Sequence, residues 1–199
     1  ELRPLELCGY ILKKDSPSCG MARVKVYATE GAARRDGEGL YASALIQAFP
    51  NLPIEEEGRL NDSRLRENFI ERVFAYRRLR DLFVGRWTKS QVVAFHTAHK
   101  LQLMAHDLAV YRELGRLVAE LAGTPRAEFR RRYASGFMRG LARLATRGRN
   151  ANVLQHAAGH LKKPLDAASR AELAQLIHDY REALVPLVVP VTLIRHHVR

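Results

Sequence analysis

The segment Ser16-Pro17-Ser18-Cys19-Gly20 places a thiol between hydroxyl groups on a short turn. Pro17 biases Ser16 toward an extended backbone, and Gly20 favours a turn directly after an apolar run. A cysteine held in this way could be a nucleophile or a metal ligand, and the hydroxyls could hydrogen-bond its thiolate or a substrate. From these residues alone, an ordinary Ser/Pro/Gly turn with an incidental cysteine stays open as the alternative.

The chain has only two cysteines, Cys8 and Cys19, which is too few for a disulfide framework. Reduced thiols are typical of cytoplasmic proteins, and we predict a cytoplasmic location. Cys8 lies in a strand-like apolar run and is predicted to be a buried, inert thiol. The stretch Leu184–Leu193 is too short to span a bilayer, so no membrane partner is expected.

Five histidines could form two helical stripes. His96, His99 and His106 share one face if a helix continues that far, and His156 and His160 form a second pair. Two converging stripes could bind zinc or iron. No carboxylate is interleaved with them in a metal-binding pattern, so polar positions that orient helices, or contacts to nucleic acid, are the favoured interpretation.

The net charge of +12 is concentrated in the second part of the chain. Residues 1–57 hold seven Lys/Arg and nine Asp/Glu, whereas residues 58–199 hold 26 and 12, a net charge of +14. Such an excess attracts polyanions and favours nucleic-acid binding, with a merely solvated basic surface as the alternative. Several arginines crowd one predicted helix and the turn after it: Arg126, Arg130, Arg131, Arg132, Arg139, Arg143, Arg147 and Arg149. Trp87 and Tyr133 could stack on unpaired bases, although Trp87 could equally belong to the core.

The elements that must position these residues fall into two parts. Residues 1–58 are predicted to be α/β. Strands are predicted at Leu5–Leu12 and Arg23–Tyr27, and a short edge strand at Leu52–Ile54. Gly31–Gly39 is predicted to be a Gly-rich loop and Leu40–Phe49 a helix. So few short strands cannot close a core of their own. We therefore predict an α/β fragment, the end of a small open-sheet domain.

Residues 59–199 follow a helical period and are predicted to form an all-α helical bundle. Its predicted helices begin at Asn61 or Asp62, at a capping box at Thr88–Gln91, near Leu108, at Thr124-Pro125 and at Ala151, Asp166 and Val191. The fourth helix is expected to reach about Thr146, and Arg147–Asn150 is expected to be a basic turn.

The segment Gly9–Gly20, with Ser-Pro-Ser-Cys-Gly at its end, resembles the signature of the TudS-type thiouracil desulfidase domain. In that family three cysteines bind a 4Fe-4S cluster, whose free iron accepts the sulfur removed from a thiolated uracil. The resemblance implies that Cys19 is the last of the three ligands, and that Ser16 and Ser18 are candidate catalytic residues. The other two ligands and an acidic catalytic residue belong to the family's N-terminal half, which this sequence lacks. We therefore expect a fragment that is inactive alone.

The segment Arg86–Leu101 resembles the YbgA-like domain, and so do Asn152–His156 and Pro186–Pro190 further along the chain. The order of the two domains is similar to that of the fused tRNA thiouridine desulfidases called RudS, in which the helical domain is implicated in holding tRNA. The resemblance therefore implies tRNA as the partner.

Three hypotheses follow. The first is part of a tRNA 4-thiouridine desulfidase, whose helical domain binds tRNA. The second is a non-catalytic RNA-binding module, and the third is a metal-dependent hydrolase that uses the helical-domain histidines. The predicted nucleic-acid-binding residues are Arg86, Trp87, Lys89, His96, His99, Lys100, Arg131, Arg132, Arg139, Arg143, Arg147 and Arg149.

Overall fold

The structure, a computed structural model, describes residues 2–27 and 34–198. A short α/β piece precedes a run of helices, as predicted. The strands are β1 (Tyr10–Leu12), β2 (Val24–Val26), β3 (Arg34–Gly37) and β4 (Ile54–Glu56). The helices are α1 (Leu40–Ala48), α2 (Ser63–Leu82), α3 (Lys89–His106), α4 (Leu108–Ala119), α5 (Arg126–Ala142), α6 (Arg147–His160), α7 (Ala167–Arg181) and α8 (Val188–Val198). Among the described residues, no helix is both long enough and apolar enough to cross a bilayer.

Two small sheets form the α/β piece. Strands β1 and β4 are parallel, with Tyr10 opposite Ile54, and β2 and β3 are antiparallel. The predicted strand at Leu5–Leu12 is shorter than expected, because Arg3–Leu5 forms a 3-10 turn that contains Pro4. Helix α1 packs Ala42 and Leu45 against this piece.

The Gly-rich segment Gly31–Gly39 was expected to be a loop, but Arg34–Gly37 forms β3. The polar sequence of Arg34–Gly37 does not predict a strand. The strand forms because pairing with β2 satisfies its backbone hydrogen-bonding groups. The remaining residues of that prediction, 31–33, lie outside the described residues.

The predicted helix starts are mostly confirmed by their caps. The Asp62 carboxylate accepts from the N–H groups of Arg64 and Leu65. Thr88 and Gln91 make both hydrogen bonds of a capping box. Asp166 accepts from the N–H of Ser169 at the start of α7. These caps satisfy N–H groups that have no partner within their own helices.

Four predicted boundaries were wrong. Pro125 is the N-cap of α5 and not its first helical residue, so α5 begins at Arg126. Arg147–Asn150 is not a turn but the first turn of α6, because the Thr146 hydroxyl accepts from the Arg149 N–H and caps the helix. Helix α5 accordingly ends at Ala142, and the last helix begins earlier than predicted, at Val188.

The helices enclose two hydrophobic clusters. Helices α2–α5 surround a large one, in which Phe129, Tyr133 and Phe137 of α5 are fully buried. Helices α6–α8 surround a smaller one, which includes Leu173 and Ile177 of α7. Helix α3 packs against both α4 and α6 and so joins the two clusters.

Helix α2 also packs against the α/β piece. Tyr76 contacts both the large helical cluster and the small sheet cluster. A side-chain carbon added at Gly9 would lie 2.6 Å from Val73, so glycine lets the chain before β1 pass close to α2. Arg80 donates hydrogen bonds to the carbonyl groups of Glu6 and Leu7. The predicted boundary between residues 58 and 59 is thus crossed by many contacts.

Candidate active-site loop and basic groove

The loop Ser16–Gly20 follows the carboxyl end of β1 and is closed by its own hydrogen bonds. The Ser16 hydroxyl oxygen accepts from the N–H groups of Ser18 at 3.3 Å and Cys19 at 3.1 Å. The N–H of Gly20 donates to the Ser16 carbonyl at 2.8 Å. The Ser16 oxygen therefore has a clear positioning role in shaping the turn around Cys19, while the Ser18 side chain is exposed.

Helix α1 holds this loop from the other side. The Ser18 carbonyl accepts from the N–H groups of Tyr41 at 2.9 Å and Ala42 at 3.1 Å. The N-cap residue of α1, Gly39, has no side chain that could accept hydrogen bonds from these N–H groups. A side-chain carbon added at Gly39 would lie 2.3 Å from the Ser18 carbonyl oxygen. The loop thus replaces the polar cap that helix α1 lacks, and only glycine leaves room for it.

Strand β4 ends in glutamates that fix the two ends of the loop. The Glu56 carboxylate, which is buried, accepts from the N–H of Met21 at 2.7 Å. Glu57 accepts from the N–H of Lys14 at 2.7 Å and pairs with the Lys13 ammonium at 3.4 Å. Burial opposes ionisation of Glu57, but these hydrogen bonds prevail and lower its pKa.

The sequence reasoning missed these glutamates. A signal was present, because the carboxyl ends of adjacent parallel strands meet at one edge, where sites are commonly built. Glu56 and Glu57 stand at that end of β4, beside the loop that leaves β1.

Two tyrosines lie beside Cys19 and were also missed. The hydroxyl groups of Tyr10 and Tyr41 are 2.9 Å apart. The hydrogen bond with Tyr10, followed by burial and by the charges of Tyr10 and Cys19, raises the pKa of Tyr41 to about 12. Cys19 is half-buried and packs against the small sheet cluster to which Tyr10 also belongs. The loop therefore brings a thiol near two phenol hydroxyl groups that can donate or accept hydrogen bonds.

Cys8 is placed differently from Cys19. It precedes β1, whereas Cys19 follows it, and its sulfur lies 3.8 Å from the Arg80 guanidinium. It is half-buried, so the expectation of a buried thiol was wrong: the segment before β1 runs at the surface, where residues 3–6 are exposed. Within residues 2–27 and 34–198, no group of three or more His, Cys, Asp or Glu side chains could hold a metal ion.

The histidines of α3 face the interior. His96 is half-buried, lies 3.1 Å from the Tyr133 hydroxyl and stacks on Tyr111 with ring centroids 5.6 Å apart. His99 is buried, and its Nε2 accepts from the Arg78 guanidinium at 3.2 Å. Because that guanidinium can only donate, the Nδ1 of His99 carries the proton and donates to the Phe95 carbonyl.

Burial lowers the pKa of both His96 and His99, so neither ring gains a charge at neutral pH. His106 is buried as well, between the Arg143 carbonyl and the Glu71 carboxylate. The direct contacts to nucleic acid that we predicted for His99 are incompatible with its burial. These rings act as polar positions that orient the helices.

Trp87 belongs to the core and not to a binding surface. Its ring is 5.3 Å from Phe83 and 5.6 Å from Phe129, measured between centroids, and it is almost fully buried. The Arg126 guanidinium covers it at 3.9 Å from the ring centroid. Tyr133 is also fully buried. The prediction that Trp87 contacts nucleic acid was therefore wrong, because the turn between α2 and α3 folds its ring inward.

Three of the predicted basic contacts hold the helical framework. Arg143 pairs with Asp107 at 2.7 Å, Arg147 donates to the Tyr180 carbonyl at 2.6 Å, and Arg149 donates to the Leu144 carbonyl at 2.7 Å. By contrast, Arg86 and Lys89 are exposed where α3 begins, and Lys100 is half-buried on the same helix. Some of the predicted basic residues thus bond other parts of the fold, while others lie at the surface.

The other three predicted arginines line one groove. Arg131, Arg132 and Arg139 of α5 border a cavity of about 480 Å³ between α4 and α5, together with Arg116 of α4. Arg139 pairs with Glu113 at 2.6 Å and Arg132 with Glu128 at 3.3 Å. The structure thus brings these arginines together, and adds Arg116, which the sequence reasoning did not select.

Comparison with known proteins accounts for both parts of the chain. The family described as "Protein of unknown function (DUF1722)" matches residues 100–199, about half of the chain. The chain belongs to this family. The family described as "2-thiouracil desulfurase" matches residues 1–57. A curated relative is the "Uncharacterized protein YbgA" of Escherichia coli (strain K12), which is 29% identical over 140 residues, covering 70% of this chain and 83% of that protein.

Both resemblances stated from the sequence are therefore confirmed: a 2-thiouracil desulfurase-related segment precedes a DUF1722 region with a YbgA relative. The desulfurase match contains Cys19 and its loop, and the DUF1722 match contains helices α4–α8 with the arginine-lined groove. No solved structure matches this chain.

Proposed function

We propose that this chain is part of a desulfidase that removes sulfur from thiolated uridine in tRNA, and that its helical region binds the tRNA. The observation that carries the proposal is the loop Ser16–Gly20, which holds one half-buried thiol beside Tyr10 and Tyr41 within the segment related to 2-thiouracil desulfurases. The charge of residues 58–199 supports a polyanionic substrate.

Cys19 is proposed as one ligand of a 4Fe-4S cluster. Such a cluster takes several thiolates from its protein, and the described residues bring one to this loop, because Cys8 lies at the other end of β1. The donor set described here therefore does not fit a whole cluster, and the remaining ligands would have to come from other residues.

Several residues of this chain would prepare the site whichever groups complete it. The Ser16 oxygen and the Ser18 carbonyl fix the backbone on both sides of Cys19. Glu56 and Glu57 hold the ends of the loop. Tyr41 keeps its proton at neutral pH, since its pKa is about 12, and it can donate a hydrogen bond to a uracil oxygen or sulfur near Cys19.

The test uses the natural full-length protein, purified without oxygen. Cys19→Ala is expected to lose the iron–sulfur absorption band and to lower desulfidation of 4-thiouridine tRNA by at least about a hundredfold. Cys8→Ala is the matched control and is expected to keep both. Desulfidation that survives Cys19→Ala would overturn the assignment of Cys19.

A non-catalytic RNA-binding module is the second candidate, and the incomplete thiolate set favours it. It predicts that the full-length protein binds tRNA but neither contains iron nor releases sulfur from thiolated tRNA. Iron analysis and the desulfidation assay on one preparation distinguish the two functions. The histidine-based hydrolase receives no support. His96, His99 and His106 are engaged within the helical core, and neither they nor the pair His156 and His160 belong to a group of three or more His, Cys, Asp or Glu side chains among the described residues that could hold a metal ion.

A further inference from the structure

The groove between α4 and α5 exists because the two helices approach closely. A side-chain carbon at Gly136 would lie 2.8 Å from Leu114, and one at Gly140 would lie 2.9 Å from Val110. Both glycines are buried on the face of α5 that packs against α4. This close approach brings the exposed side chains of the two helices to opposite walls of a single groove, with Leu117 and Ser135 among its lining residues.

The walls of this groove carry an excess of positive charge. Arg116, Arg131, Arg132 and Arg139 line it, against the two carboxylates of Glu113 and Glu120. Among the described residues, Arg116 and Arg131 have no carboxylate within 4.0 Å. Two guanidinium groups are therefore available to an anionic ligand without breaking an ion pair.

The other two guanidinium groups are held only loosely. The side chains of Arg139 and Glu113 are 58% and 53% exposed, and those of Arg132 and Glu128 are 52% and 42% exposed. Ion pairs this exposed contribute little to stability, about 0–1 kcal/mol. A phosphate can therefore replace either carboxylate at small cost.

The shape and chemistry of the groove match a nucleic-acid backbone. Arg132 and Arg139 are seven residues apart on α5, a separation of about 10 Å along the helix. That distance exceeds the reach of one phosphate group, so the two arginines would contact different phosphates of a strand. None of the residues that line the groove is aromatic, so it offers no surface for base stacking.

We propose that the α4–α5 groove binds the RNA phosphate backbone without reading bases, and so holds thiolated and unthiolated tRNA equally well. This inference rests on the proposed function in taking tRNA as the RNA. It separates two tasks in the molecule: the groove supplies affinity, and recognition of the thiolated base is left to the loop around Cys19.

The test compares two double variants of the full chain that lose the same charge. Arg116→Ser with Arg131→Ser removes two arginines of the groove. Arg181→Ser with Arg195→Ser removes two exposed arginines of α7 and α8 and is the matched control. Binding of fluorescent tRNA, with and without 4-thiouridine, is measured by anisotropy between about 50 and 200 mM salt.

We expect the groove variant to bind tRNA at least about tenfold more weakly, and to reduce the slope of log affinity against log salt by about 1.5, since two phosphate contacts are lost. The control should change affinity less than about threefold. The ratio of the affinities for thiolated and unthiolated tRNA should be the same in the wild type and in the groove variant. Arg131→Glu alone should weaken binding in the same direction.

Three outcomes would overturn the inference, and they separate it from the proposed function. Equal losses of tRNA affinity in the two double variants would reject the groove as the binding site, but not the proposal that the chain binds tRNA. A preference for thiolated tRNA that disappears in the groove variant would show that the groove reads the base. Absence of tRNA binding by the wild-type chain would reject the groove together with the tRNA-binding part of the proposed function.

Discussion

The α/β piece and the four-helix region α2–α5 hold their candidate sites by different means. In the described residues, five buried apolar side chains form the core of the piece, whereas sixteen form the core of α2–α5. The loop around Cys19 is therefore fixed mainly by hydrogen bonds from Ser16, Glu56 and α1. The α4–α5 groove is fixed by packing beneath it.

This difference predicts different sensitivities. A loop held by hydrogen bonds and close backbone contact should respond to small changes at single positions such as Gly39. A groove that rests on a large core should tolerate changes at its surface but should be lost when the core is lost. The α/β piece depends on that core too, because α2 contributes Tyr76 to both clusters.

The largest effect is expected from Phe137→Ala. The ring is fully buried, 5.2 Å from Phe95 and 5.4 Å from His99 between centroids, so its removal should cost about 3–5 kcal/mol of unfolding free energy. Phe74→Ala, at a side chain that is 60% exposed, is the matched control and should cost less than about 0.5 kcal/mol. Urea unfolding measures both.

The same variant tests the dependence of the α/β piece on α2. Hydrogen exchange should accelerate in β1 and β4 of Phe137→Ala as well as in the helices, because unfolding of α2 uncovers the sheet. Unchanged protection of β1 and β4 would mean that the α/β piece unfolds independently of α2–α5.

The next effect is expected from Gly39→Ala. The added carbon would lie 2.3 Å from the Ser18 carbonyl oxygen and 2.8 Å from the Cys19 nitrogen, so the backbone must shift. We expect the unfolding free energy to fall by about 1–3 kcal/mol, and hydrogen exchange of the Tyr41 and Ala42 amides to become faster. Gly123→Ala, which meets nothing within 4 Å, is the control. Equal effects of the two changes would contradict the tight fit of the loop on α1.

A smaller, pH-dependent effect is expected from Asp107→Asn. The hydrogen bond from Arg143 lowers the pKa of Asp107 below its ordinary value of 3.8, and the Val110 and Ala109 amides add to this. The contribution of the ionised Asp107 carboxylate to the stability of the fold is therefore present above about pH 4, and it is lost as pH falls through the folded-state pKa. Because the charge-assisted hydrogen bond with Arg143 is weakened, the variant should lose about 1–2 kcal/mol of unfolding free energy at about pH 7, and less at about pH 3.

Asp81→Asn is the control for that change, because among residues 2–27 and 34–198 the Asp81 side chain makes only an exposed ion pair with Arg77. It should alter the urea midpoint little at either pH. A loss from Asp107→Asn that is the same at both pH values would argue against a role for the charge of this cap.

The smallest effect is expected from Glu113→Gln. Loss of this carboxylate frees Arg139 and removes a negative charge from the groove, so tRNA affinity should rise about two- to threefold at low salt. Glu172→Gln, an exposed carboxylate on α7, should leave affinity nearly unchanged. Weaker binding of Glu113→Gln would indicate that Glu113 orients Arg139 rather than competes with RNA.

Much of the local structure could be predicted because it depends on neighbours in sequence. The caps at Asp62, Thr88 and Asp166 follow from side chains two or three residues before the amides they bond. Where a partner is distant, prediction failed: β3 forms because β2 lies beside it. The start of α6 was missed although its cap, Thr146, is local, because the first turn is basic and contains glycine.

The sequence by itself determined the thiol-bearing turn, the order of an α/β piece before helices, and the position of the basic excess, since composition and local pattern carry these. The tertiary structure alone decided which residues meet. It turned His99 inward because packing buries one face of α3, and Trp87 inward because the turn between α2 and α3 packs on the core. It assembled Arg116 with Arg131 and Arg139 because glycines let α4 and α5 approach. It also placed Tyr41, Glu56 and Glu57 around the Cys19 loop, since the strand ends and the start of α1 that carry them come together only in the folded chain.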